Sequence, residues 1–119
     1  MITAKYFKEA EFKRCVPSCS LQQMDQAFMN TLDALRAQAG IPLVLTSAYR
    51  SSAWDKSKGR TGTGAHTKGK AADIRCNSSA TRLKIVQAAL ALGIRRIGVA
   101  GTFVHVDTDK SLPDGIWTY

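Results

Sequence analysis

Phe103-Val104-His105-Val106-Asp107 is the stretch on which the fold turns. Its strict alternation is that of a β-strand, whose successive side chains point to opposite faces. Val104 and Val106 therefore share one face, while Phe103, His105 and Asp107 share the other. A polar pair on one face of an apolar strand needs a partner from elsewhere in the chain. Only two histidines exist, and each lies beside a carboxylate: His66 is seven residues before Asp73, and His105 two before Asp107.

Just upstream, Ile94 to Ala100, a turn at Gly101 and Thr102 to Asp107 read as a hairpin. Before it, Asn77-Ser78-Ser79 offers caps for a helix over roughly Ala80 to Leu92, closed by Gly93 and given a buried stripe by Leu83, Val86 and Leu90. Ala71-Ala72-Asp73-Ile74-Arg75-Cys76 reads as a second strand. Leu43-Val44-Leu45-Thr46-Ser47, short, apolar and bounded by Pro42, reads as a third. The first long helix is predicted from Ser20, with Gln23 completing a capping box. Leu21, Met24, Phe28, Leu32, Leu35 and Ala39 recur along it every three or four residues, and Gly40 ends it. Between Arg50 and Lys70 the glycines, hydroxyl residues and lysines suit an exposed loop, and loops of that length in compact domains are usually functional. The order helix, strand, loop, strand, helix, hairpin predicts an α+β fold: a small, largely antiparallel sheet with helices packed on it.

Length and composition agree with that reading. The 119 residues suit one domain, 1–119, and 45% hydrophobic with 22% charged residues is the balance of a folded chain rather than a disordered one. Seventeen Lys and Arg against nine Asp and Glu give a net charge of +8, which favours polyanionic partners. No nucleic-acid recognition motif accompanies the charge, so no specific nucleic-acid partner is expected. No apolar run is long enough to span a membrane, and Met1 to Glu9 lacks the apolar centre of a secretory signal. Synthesis in the cytoplasm without a signal peptide is the expectation, with the protein a monomer. Cys15, Cys19 and Cys76 are an odd set, read as reduced, buried thiols.

Two imidazoles and a carboxylate are a common ligand set for catalytic zinc, where three protein ligands leave one position for water. His66, Asp73 and His105 are the candidate ligands. Gly69 permits the chain to turn back between the first two. Asp107 shares a strand face with His105 and has two possible roles: orienting and deprotonating the zinc-bound water, or hydrogen bonding to the ligand imidazole. Asp55, in the loop, is a weaker alternative for the first.

The string Gly64-Ala65-His66-Thr67-Lys68-Gly69-Lys70-Ala71-Ala72-Asp73 resembles the H-x-x-G-x-A-x-D signature of zinc peptidases of the D-Ala-D-Ala carboxypeptidase and hedgehog superfamily. Phe7 with Glu11-Phe12, the first long helix, Leu45 to Ser51, Phe103 to Asp107 and Trp117-Thr118-Tyr119 are similar to successive blocks of its peptidoglycan-peptidase, phage endolysin-like branch. The resemblance implies a hedgehog/DD-peptidase-like fold with Zn2+ held by His66, Asp73 and His105. It also implies that Arg50 is the catalytic cation that polarises the scissile carbonyl and steadies the oxyanion. The positions that carry a Glu, Asp or second His near the last ligand in many members hold Thr102 and Phe103 here, so no base transfers from the family.

The implied activity is zinc-dependent hydrolysis of D-amino-acid-containing peptide bonds in peptidoglycan stem peptides or cross-links. Carboxypeptidase and endopeptidase action both remain open, as does a catalytically inactive, zinc-containing binding module of the same fold. Action on the bacterial cell wall by a protein without a signal peptide points to phage-type release. Lys56, Lys58, Arg60, Lys68 and Lys70 cluster around the site loop, as substrate contacts or as a solvated edge.

Overall fold

A computed structural model describes residues 1–119. It is α+β, with one five-stranded sheet in the order β1-β2-β4-β3-β5. The strands are β1 (Leu45–Ser47), β2 (Ala71–Arg75), β3 (Arg96–Val99), β4 (Phe103–Asp107) and β5 (Gly115–Thr118). Pairing is antiparallel throughout except between β3 and β5, which run parallel. The helices are α1 (Glu9–Lys13), α2 (Gln26–Ala39), α3 (Ser52–Ser57) and α4 (Ser79–Ala91).

Alternation along β4 divides the molecule. Val104 and Val106 pair with Ile74 and Ala72 of β2, and all four side chains enter the apolar core with Ile97 of β3. Phe12 of α1, Phe28, Leu32 and Leu35 of α2 and Ile85 of α4 close over that face. Full burial of side chains this large contributes about 1.5–3 kcal/mol each, which sets the side of the sheet on which the helices pack. The opposite face carries the polar residues of β2 and β4.

Three element readings change. The predicted first helix is two elements: Ser20 caps a 3-10 turn over Leu21–Gln23 with the expected capping box, Met24 is extended, and Asp25 caps α2 by accepting from the Phe28 N–H at 2.9 Å. The Ser20 hydroxyl and the Asp25 carboxylate are both favoured caps, and the second one starts a new helix. The loop from Arg50 to Lys70 contains α3 and a second 3-10 turn, Ala65–Lys68. In α4 the buried stripe is Ile85, Ala88 and Ala89, while Leu83 and Leu90 face solvent. α4 packs against α2 and β4, and two adjacent alanines permit the close approach there that leucines would block.

Gly69 has φ +70°, and a Cβ on it would meet Gln23 O at 2.5 Å and Met24 Cα at 2.8 Å. Its own carbonyl accepts from the Asp25 N–H at 3.0 Å, so the turn before β2 is locked onto the start of α2. Gly69→Ala is expected to cost about 2–4 kcal/mol in chemical denaturation, from left-handed strain plus displaced backbone. Gly64→Ala, with open space at its Cβ and no left-handed φ, should change stability by less than about 0.5 kcal/mol.

Candidate metal centre

Strand register builds the site as one row across the sheet. Ser47 of β1 lies opposite Asp73 of β2, Asp73 opposite His105 of β4, His105 opposite Gly98 of β3, and Gly98 beside Trp117 of β5. Directly opposed residues share a face, so Asp73 and His105 meet without any loop to bring them together. His66 arrives from above on the Ala65–Lys68 turn. The Arg50 N–H donates to the His66 carbonyl at 3.2 Å, which ties that turn to the end of β1.

The three expected ligands converge. His105 Nδ1 lies 2.9 Å from Asp73 Oδ1 and 3.2 Å from His66 Nε2, and His66 Nε2 lies 3.4 Å from Asp73 Oδ1. Their surroundings decide which nitrogens carry protons. The Ala48 carbonyl can only accept, so the proton of His66 is on Nδ1, which donates to it at 2.6 Å. The Asp107 carboxylate accepts from His105 Nε2–H, also at 2.6 Å. The remaining nitrogen of each ring is then a bare lone pair, and both face the Asp73 carboxylate oxygen.

Three acceptors without a donor among them repel one another unless a cation lies between. Tetrahedral ligands about 2.0–2.1 Å from zinc are separated from each other by about 3.3 Å, close to the three edges of this triangle. The donor set thus fits a divalent zinc, and all three residues are buried.

With no cation between them, the three groups are held instead by a proton, as an imidazole hydrogen bond to Asp73. Burial pushes the Asp73 carboxyl up, but hydrogen bonds and charge from His105 and His66 outweigh it and hold it well below the carboxylate range. Burial pushes His105 down, and Asp107 and Asp73 overcome that and raise it. Asp107 is held low against its own burial by His105 and Arg96.

A cleft of about 200 Å³ opens on the cluster, lined in part by Arg50, Asp55, Arg60, His66, His105 and Trp117. Asp55 lies between two guanidinium groups, 3.7 Å from Arg50 Nε and 3.6 Å from Arg60 Nη1. Arg50 Nε is buried without a hydrogen bond. Burial lowers the Arg50 pKa against the opposing charges of Asp73 and Asp55.

Asp107 lies on the far side of the His105 ring from the cluster. One oxygen holds His105 Nε2, and the other accepts from Arg96 Nε at 2.7 Å and the Asp109 N–H at 3.1 Å. Of the loop lysines, Lys68 turns inward to Asp109 Oδ2 at 2.8 Å and Ser111 Oγ at 2.9 Å. Sequence reasoning missed Arg96, the Ala48 carbonyl and the place of Trp117. Arg96 was within reach, because a hairpin with Gly101 and Thr102 at its tip pairs position 96 with position 107.

A family model described as peptidase M15 matches residues 5–107. The chain belongs to the peptidase M15 family. The D-Ala-D-Ala carboxypeptidase resemblance drawn from Gly64 to Asp73 and Phe103 to Asp107 is that same membership. M15 peptidases are zinc-dependent metallopeptidases acting on peptides, and His66, Asp73 and His105 form a possible metal site within the matched region. β5, with Trp117, lies beyond the matched residues. No curated protein matches the chain, and no helix is long and apolar enough to cross a membrane.

Proposed function

We propose that residues 1–119 form one zinc peptidase domain that hydrolyses amide bonds in the stem peptides or cross-links of peptidoglycan, at bonds involving D-amino acids. The observation that carries this reading is the triangle of His66 Nε2, Asp73 Oδ1 and His105 Nδ1, three acceptors spaced for zinc in a cleft shared with the half-buried Arg50. Zinc held by His66, Asp73 and His105 would supply Lewis acidity and lower the pKa of a water to about 7.

The chain's own residues do the rest. Arg50 lines the cleft with an Nε that lacks an acceptor, and it takes the scissile carbonyl oxygen as negative charge develops there. A guanidinium keeps its charge in that half-buried position where an ammonium would lose it more readily. Asp107, with both oxygens engaged, acts through His105 by fixing its tautomer and ring orientation. Asp55 lines the same cleft between Arg50 and Arg60, and in this reading it receives a proton from water and returns one to the departing amine.

The net charge of +8 favours accumulation on an anionic bacterial wall, the site of action in this reading. Purified protein incubated with peptidoglycan sacculi, with and without a chelator, tests the proposal by mass spectrometry of released muropeptides. Chelator-sensitive release of peptides with new termini is expected, and those termini identify the bond. Stoichiometric zinc with no released peptide would instead assign a non-hydrolytic binding module.

A further inference from the structure

The His105 side of the metal centre is enclosed by a closed circuit of side chains. Arg96 of β3 lies directly opposite Asp107 of β4, and their 2.7 Å ion pair has a fully buried carboxylate and a guanidinium only 16% exposed. A second guanidinium nitrogen of Arg96 donates to the Pro113 carbonyl, in the segment leading into β5. The guanidinium carbon lies 4.8 Å over the Trp117 ring, and that ring lies 5.3 Å from the His105 imidazole. Gly98 makes this possible, because a Cβ there would meet Trp117 Nε1 at 2.6 Å.

We propose that Arg96 is a positioning residue of the metal centre. It holds Asp107, and through Asp107 the His105 imidazole, in the orientation that aims Nδ1 at His66 and Asp73. The inference rests on the metal-binding reading of those three residues.

The physical argument concerns rotation. Asp107 grips His105 Nε2 with one oxygen only, and that oxygen stays in place because the other is held by Arg96 Nε and the Asp109 N–H. Removing the guanidinium leaves a buried carboxylate without its countercharge, with only the Asp109 N–H to hold the second oxygen against rotation. Trp117 stacks on Arg96 and walls the same ring, so losing Arg96 also loosens one side of the imidazole's slot. A lysine can replace the charge but not the fork that reaches Asp107 and Pro113 together.

The test is zinc affinity of the full chain, measured by chelator competition. Arg96→Gln is expected to weaken zinc about 10–100-fold, the range for partners of metal-ligating histidines. Arg96→Lys should recover part of that loss. Arg95→Gln, which removes an exposed neighbour paired with Asp114, should leave affinity within about twofold. The discriminating measurement is a double-mutant cycle: in an Asp107→Asn background, Arg96→Gln should weaken zinc no more than about threefold further. Should Arg96→Gln fail to fold, Arg96→Lys in the same two backgrounds gives the same cycle.

Wild-type affinity in Arg96→Gln would overturn the proposal, as would losses that multiply in the double variant, since a general structural role does not pass through Asp107. A wild-type chain that bound no zinc would instead overturn the metal centre itself, and this proposal with it.

Discussion

His66→Ala is expected to abolish stoichiometric zinc and reduce peptidoglycan hydrolysis by about a thousandfold or more. The remaining pair, Asp73 and His105, already lies 2.9 Å apart, and in the variant the pair closes on itself as a hydrogen bond. Two ligands do not hold zinc against dilution, and losing the several kcal/mol of charge stabilisation that a bound metal supplies accounts for the rate. Metal content after dialysis, by elemental analysis, and muropeptide release are the two measurements. The fold should persist, because the His66 side chain contributes nothing to the apolar core. Full activity in this variant would remove His66 from the ligand set.

Arg50→Ala separates metal binding from turnover. The variant should keep one zinc per chain and lose about 10²–10³ in kcat, the usual cost of deleting one donor to a developing oxyanion. KM should change less, because the interaction strengthens as charge appears on the carbonyl oxygen. Asp55 retains Arg60 as a countercharge, which limits the structural damage. Arg50→Lys should restore part of the loss, since a point charge replaces the fork incompletely. Unchanged kcat in Arg50→Ala would exclude a role in the chemical step.

These two expectations use residues that were legible before any coordinates. His66, Asp73 and His105 stand out because the chain has only two histidines, each near an aspartate, and because alternation along Phe103 to Asp107 assigns faces without knowledge of any partner. Asp107 was legible as a residue but not as a role. Alternation puts it on the face of His105, yet it does not say on which side of the imidazole its oxygens lie. That depends on Arg96, which engages the carboxylate from the neighbouring strand. The stripe of α4 failed for a related reason. Leu83, Val86 and Leu90 and the set around Ile85, Ala88 and Ala89 are both periodic, and the packing distance to α2 selected the one with small residues.

The sequence by itself determined the α+β class, the strands on either side of the centre, the choice of His66, Asp73 and His105 as candidate ligands and the turn at Gly69. All of these follow from local periodicity, backbone permissiveness or the chemistry of a few rare side chains. Only the tertiary structure decided that β5 adds in parallel to β3, that Trp117 crosses Gly98 to wall His105, and that the Ala48 carbonyl and the Asp107–Arg96 pair set the two imidazole tautomers. Those contacts join residues whose separation along the chain carries no periodic signal. Their partners are chosen by strand register and by the shape of the space left between packed elements, which exist only once the whole sheet has closed.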